Sequence, residues 1–147
     1  MPKLHRINPE EAKHLLAGGH IYVDVRSEPE FEEGHVPGAY NVPLLHRGPA
    51  GMVPNERFEA VMRAKFALED KLILGCRSGV RSLQAAKLMG DLGYDELWEL
   101  RTGWEGSRDP FGRLDPGWGR KGLPVELGHP PERSYADILR NMERQGV

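Results

Sequence analysis

The chain has 147 residues, 39% of them hydrophobic, and its 20 Lys and Arg against 22 Asp and Glu leave a net charge of −2. That length fits one ordinary domain with a core that needs no staples, and the charge gives no global case for nucleic-acid binding. Its one cysteine, Cys76, excludes an internal disulfide, a multi-thiolate zinc site and a Cys-x-x-Cys redox pair.

The first ten residues lack the continuous apolar stretch of a signal peptide, and no later run is long enough to span a bilayer. A reducing cytoplasm is the expected location, with no membrane partner. Pro9 to Ala17 predicts a helix, with Asn8 as N-cap, proline at the first helical position and Gly18-Gly19 as the stop. Ile21 to Val25 is a β-branched run expected as a buried strand. Glu28 to Glu33 predicts a brief acidic helix ending at Gly34, and His35 to Pro43 extended chain with a turn at Pro37-Gly38. Leu44 to Pro54 is expected as a loop. Asn55 is expected to cap a helix running to Phe66, with Phe58, Val61 and Met62 on its apolar stripe.

Leu72-Ile73-Leu74 is the next expected buried strand. Beyond the Cys76 loop, a helix is expected from Ser82 to about Leu92, stopped by Gly93. Glu96 to Leu100 then alternates as a strand. Strands alternating with helices predict a single α/β domain: a central parallel sheet flanked by helices, its functional loops at the strands' carboxyl ends. Thr102 to Lys121 shows no periodicity, is rich in Gly, Pro, Arg and Asp, and carries Trp104, Phe111 and Trp118. So long a loop is functional or mobile. Ser134 to Gln145 predicts an amphipathic helix with Tyr135, Ile138, Leu139 and Met142 on one stripe. Docking of that stripe on the domain is expected, a dimer contact being the alternative.

Cys76 follows the apolar run and opens the loop Cys76-Arg77-Ser78-Gly79-Val80-Arg81-Ser82, which leads into a helix. A strand feeding a tight loop and a helix aims backbone N–H groups and the positive end of the helix dipole into the loop's hollow. Anions bind there, and a thiol there tends to ionise. The plain alternative is a buried structural cysteine. The setting and the two arginines favour a nucleophile. Arg81 at a helix start opposes the dipole unless an anion is held nearby; Arg77 could instead be solvated. No histidine or carboxylate sits at metal-ligand spacing, so no metal and no cofactor are expected.

These residues resemble the rhodanese family of single-domain sulfurtransferases. The resemblance rests on Val23-Asp24-Val25-Arg26, on Glu30 through Leu44, on Cys76 through Ser82, on Leu97-Trp98-Glu99-Leu100 and on Trp118 through Val125. It covers residues from about 7 to 127 and implies a rhodanese-like domain over 1–130, with helices on both sheet faces; the helical tail expected over 131–147 lies outside it. It also implies that Cys76 takes a sulfane sulfur from a small anionic donor such as thiosulfate and passes it, as a persulfide, to cyanide or a thiol. Arg77 and Arg81 would attract the dianion, and the amides of Ser78, Gly79 and Val80 would hold the persulfide. Asp24 and Arg26 would organise loops and pair with nearby charges such as Glu30. Trp98 is expected in the core and His35 as a turn donor.

Phosphatases of the same fold place the arginine six positions after the cysteine; here Arg81 comes five after Cys76. The shorter cup fits one sulfur atom better than a tetrahedral phosphate, which disfavours phosphatase or arsenate reductase. A persulfide carrier or partner-binding module in a sulfur relay, with protein donors or acceptors, shares the same cysteine chemistry and stays open. Members usually carry Gly-Gly after the last strand; this chain has Thr102-Gly103, with an insertion over about 104–117. That arm, with Arg108 and Arg113, is expected to border the Cys76 cup, the alternative being a solvent-facing decoration.

Overall fold

Successive side chains of a strand point to opposite faces, so a run of apolar residues buried on both sides marks the middle of a covered sheet. The computed structural model describes residues 2–146 and shows this in its central strands. Its strands are β1 (Lys3–Ile7), β2 (Ile21–Asp24), β3 (Tyr40–Asn41), β4 (Leu45–Gly48), β5 (Gly51–Pro54), β6 (Leu72–Gly75), β7 (Glu96–Leu100), β8 (Gly106–Arg108) and β9 (Leu114–Pro116). The helices are α1 (Pro9–Ala17), α2 (Glu28–Glu33), α3 (Phe58–Lys65), α4 (Val80–Asp91) and α5 (Tyr135–Arg144). Five strands pair in parallel, in the order β1-β7-β6-β2-β3. This is the expected α/β sheet with helices on both faces.

Alternation divides the core. Val23, Leu72, Leu74 and Leu97 face α3, α4 and α5, where Val61, Met62, Ala85, Met89, Ile138 and Met142 close the cluster. Tyr22, Ile73 and Leu100 face the other way, against Ala12 of α1, Phe31 of α2 and Trp118. Gly75 ends β6 where any side chain would collide, since a Cβ there would lie 1.7 Å from the Tyr22 hydroxyl. α5 therefore docks on the domain, as its stripe predicts, and the Asn55 amide donates to the Tyr135 hydroxyl at 3.0 Å.

Several boundaries differ from expectation. β1 is a strand the sequence did not announce, because an edge strand buries little and only Ile7 of its five residues is fully covered. The expected loop over Leu44 to Pro54 holds the β4–β5 hairpin, which its own antiparallel ladder maintains with β5 exposed along its length. Asn55 does not cap a helix. Its Oδ1 accepts from Arg57 N at 3.0 Å, closing a turn, and α3 begins at Phe58. α4 starts two residues before Ser82, at Val80, with Gly79 as its N-cap. The aperiodic segment forms a second hairpin, β8–β9, followed by a 3₁₀ turn at Trp118–Arg120.

Candidate active site

The carboxyl ends of β2, β6 and β7 lie side by side, so the loops after Asp24, Gly75 and Leu100 converge on one rim. Cys76 is the first residue after β6, with only 2% of its surface exposed. Its Sγ accepts the backbone N–H of Gly79 at 3.1 Å and of Ser82 at 3.3 Å. The loop can wrap this tightly because Gly79 has φ of 95°, the left-handed region. A Cβ at Gly79 would lie 2.4 Å from the Arg101 carbonyl oxygen, so the floor of the loop also excludes a side chain. The amides of Gly79 and Ser82, and not those of Ser78 and Val80, point at the sulfur in this state.

The loop after β7 clamps the cup from outside. Trp104 N donates to the Cys76 carbonyl at 2.8 Å, and Glu105 N to that of Arg77 at 2.9 Å. The inserted arm thus begins against the backbone of Cys76 and Arg77. Farther along, Ser107, Arg108, Asp109 and Pro110 share a cleft of about 820 Å³ with Ser78, Gly79 and Val80. The arm borders the cup at its base. Its tip does not: Arg113 pairs with Asp109, and Phe111 stands 83% exposed.

Arg81 lies beside the cup, but its guanidinium is committed to Glu30, with contacts of 2.7 and 2.9 Å. Burial alone would raise the Glu30 carboxyl; the hydrogen bonds from Arg81 and Ser27 and the Arg81 charge outweigh it and hold it at about 2. Arg26 pairs with Asp24 rather than with Glu30. Its Nη2 lies 2.7 Å from Asp24 Oδ2 and also donates to the Gly34 carbonyl at 2.7 Å, while the guanidinium covers the Trp104 ring at 5.0 Å. Asn41 then donates to the carbonyls of Asp24 and Arg26. Asp24 and Arg26 are thus fully spent on holding the β2 loop. His35 reaches two acceptors, the Phe31 carbonyl at 2.7 Å and Glu126 at 2.9 Å, and so anchors the segment leading to α5. Trp98 lies away from the cup, stacked on His5.

Arg77 is exposed and has no ion pair among the described residues. It opens onto a small polar cleft of about 240 Å³ with Glu30, Glu33, Arg47, Trp104 and Glu105. Arg47 comes from the β4–β5 hairpin and was not foreseen, since no pattern in Leu44 to Pro54 singled it out. Glu30 is occupied by Arg81, and Glu105 by Arg120. Arg47 and Arg77 remain against Glu33, which leaves this cleft positive. A second unforeseen residue is Glu99 of β7, fully buried behind the cup, with its carboxylate 2.5 Å from Ser82 Oγ. The signal was available: alternation puts Glu99 on the same face as Leu97, an apolar face where a carboxylate needs a partner. No cluster suited to a metal ion occurs among the described residues.

Residues 8–109 match the rhodanese-like domain. The chain belongs to the rhodanese family. It is 39% identical over 115 residues to thiosulfate sulfurtransferase 16, chloroplastic, of Arabidopsis thaliana, covering 78% of this chain and 87% of that one. It is 40% identical over 87 residues to the human thiosulfate:glutathione sulfurtransferase, covering 57% of this chain and 76% of that one. Among solved structures, that of Rv0390 from M. tuberculosis superposes with a TM-score of 0.71 at 28% identity, over 87% of this chain and 100% of that one. Relatives so named support sulfurtransferase activity in general for this chain.

Proposed function

We propose that the chain is a thiosulfate-type sulfurtransferase working by double displacement through a Cys76 persulfide. The observation that carries this reading is the seat of the Cys76 sulfur, which accepts two backbone N–H bonds at the start of a twelve-residue helix. Such a seat stabilises negative charge on sulfur without needing a side-chain cation. A dianionic donor is drawn by Arg47 and Arg77 to the polar cleft next to the loop. The Cys76 sulfur attacks the donor's outer sulfur, the donor's S–S bond breaks, and sulfite leaves with the electron pair. The terminal sulfur of the new persulfide keeps a charge, held by the loop amides and the helix dipole. Cyanide or a thiol then attacks that sulfur and releases Cys76. Arg81, locked to Glu30, serves to hold α2 against α4 and adds charge from a fixed place. A cytoplasmic setting, where the thiol stays reduced between turnovers, suits this cycle.

Intact mass spectrometry after exposure to thiosulfate tests the reading. A gain of one sulfur is expected, removable by cyanide and absent from Cys76→Ala; an unchanged mass would refute it. A persulfide carrier fed by a protein donor is the second reading. It is favoured by an exposed apolar side chain in the loop itself, Val80 at 63% exposure, which offers a contact to a protein surface. Loading by a desulfurase but not by thiosulfate alone would select it.

A further inference from the structure

A fully buried carboxylate is costly unless its charge is met, and Glu99 is met twice. Arg6 of β1 donates its Nε–H to Oε1 at 2.8 Å, and Ser82 of α4 donates its hydroxyl to Oε2 at 2.5 Å. Ser82 Oγ is also 3.4 Å from Cys76 Sγ. With the Ser82 hydrogen directed to Glu99, the oxygen's lone pairs are what it offers the thiol, so Cys76 S–H is the donor in that contact. The three groups form one continuous hydrogen-bonded line from the nucleophile to a carboxylate.

The other ionisable groups around the sulfur are committed. Asp24 is held by Arg26 and Glu30 by Arg81. Tyr22 is driven well above its ordinary range, first by burial and then by the Asp24 charge, and stays neutral. Arg77 and Arg81 carry no site for a proton. Among the described residues, Glu99 is the one carboxylate that hydrogen bonds connect to Cys76.

Building on the persulfide reading, we propose that Glu99, reached through Ser82, receives the Cys76 thiol proton during sulfur loading, with Arg6 as its counter-ion. The S–H bond breaks and its proton joins Ser82 Oγ, while the Ser82 hydroxyl proton passes to Glu99 Oε2. The sulfur keeps the electron pair and forms the new S–S bond, and the donor's S–S bond breaks with its pair leaving on sulfite. One buried negative charge stands on Glu99 before the step and one on the persulfide after it. The site never holds both, which like-charge repulsion in a dry interior would oppose. Glu99 touches no substrate in this scheme; it acts through Ser82.

Proton counting tests the relay. The 147-residue chain is mixed with thiosulfate in weakly buffered solution with an indicator dye, and persulfide in the same sample is measured by mass. Glu99→Gln and Ser82→Ala should each release an additional proton to solvent per persulfide formed, relative to the wild type. Equal proton counts overturn the proposal. A second measurement needs no variant: the infrared difference spectrum of the wild type, loaded minus unloaded, should gain a protonated-carboxyl band, and its absence also overturns the relay. Failure of the wild type to form persulfide at all would instead remove the sulfurtransferase reading beneath it.

Discussion

The backbone N–H of Gly79 donates to Cys76 Sγ across 3.1 Å, and the contact exists because residue 79 holds φ at 95° above the Arg101 carbonyl. Gly79→Ala meets two obstacles, a left-handed angle and a Cβ 2.4 Å from that oxygen. It should cost about 1–3 kcal/mol of stability and remove most sulfur transfer, because the amide swings off the sulfur. Urea unfolding beside a thiosulfate:cyanide assay measures both; full activity with only lost stability would detach the cup from the chemistry.

Arg47 and Arg77 lie on different elements yet share one polar cleft. Arg47→Ala and Arg77→Ala should each raise the KM for thiosulfate about 3- to 10-fold with kcat nearly unchanged. The effect should fade with added salt, since both side chains are screened by water. Steady-state kinetics at two ionic strengths checks this.

Glu30 gives the rhodanese domain an acid limit. Its folded carboxyl sits at about 2 against an ordinary 4.5, so its ion pair contributes in full above 4.5 and is lost as pH falls towards 2. Glu30→Gln should cost about 1–2 kcal/mol at neutral pH, with a difference from wild type that shrinks below pH 4.5. Glu126, also held at about 2 by Arg133 and His35, should steepen the same acid transition. Urea midpoints across the pH range report it. A gap independent of pH would mean that the pair adds nothing.

The tail is part of the core. Ile138 is 1% exposed within the cluster of α3 and α4, so Ile138→Ala should cost about 2–5 kcal/mol. A single cooperative unfolding transition, shifted to lower urea, is expected. An unshifted midpoint would make α5 an appendage.

The β8–β9 hairpin places Arg108 and Pro110 in the cleft beside Val80. Replacing Ser107 to Asp115 with a short glycine turn should leave the melting temperature within a few degrees, since the tip is exposed. The ratio of kcat/KM for thiol and cyanide acceptors should change. Identical ratios would reduce the arm to decoration.

Much of this was legible in order along the chain. The apolar runs of β2 and β6 read as buried strands because both of their faces are covered, leaving no polar alternation to confuse the pattern. Cys76 was legible because a glycine, a helix start and two arginines crowd one short loop. β1 and the hairpin β4–β5 were not, because their ladders are backbone contacts with little side-chain burial behind them. Arg81 was misread in part: its distance from Cys76 along the chain is short, but Glu30, 51 residues away, owns its guanidinium.

Amino-acid order alone determined the family, the candidate nucleophile and the loop that seats it, because those properties follow from local conformation and spacing. Only the tertiary structure decided which charges are free and which are spent. Register across the sheet sets Arg6 beside Glu99, and α4 brings Ser82 to the same carboxylate. Pairings between residues 93 and 17 positions apart have no local signature, since they arise where parallel strands and a helix happen to meet at one buried point.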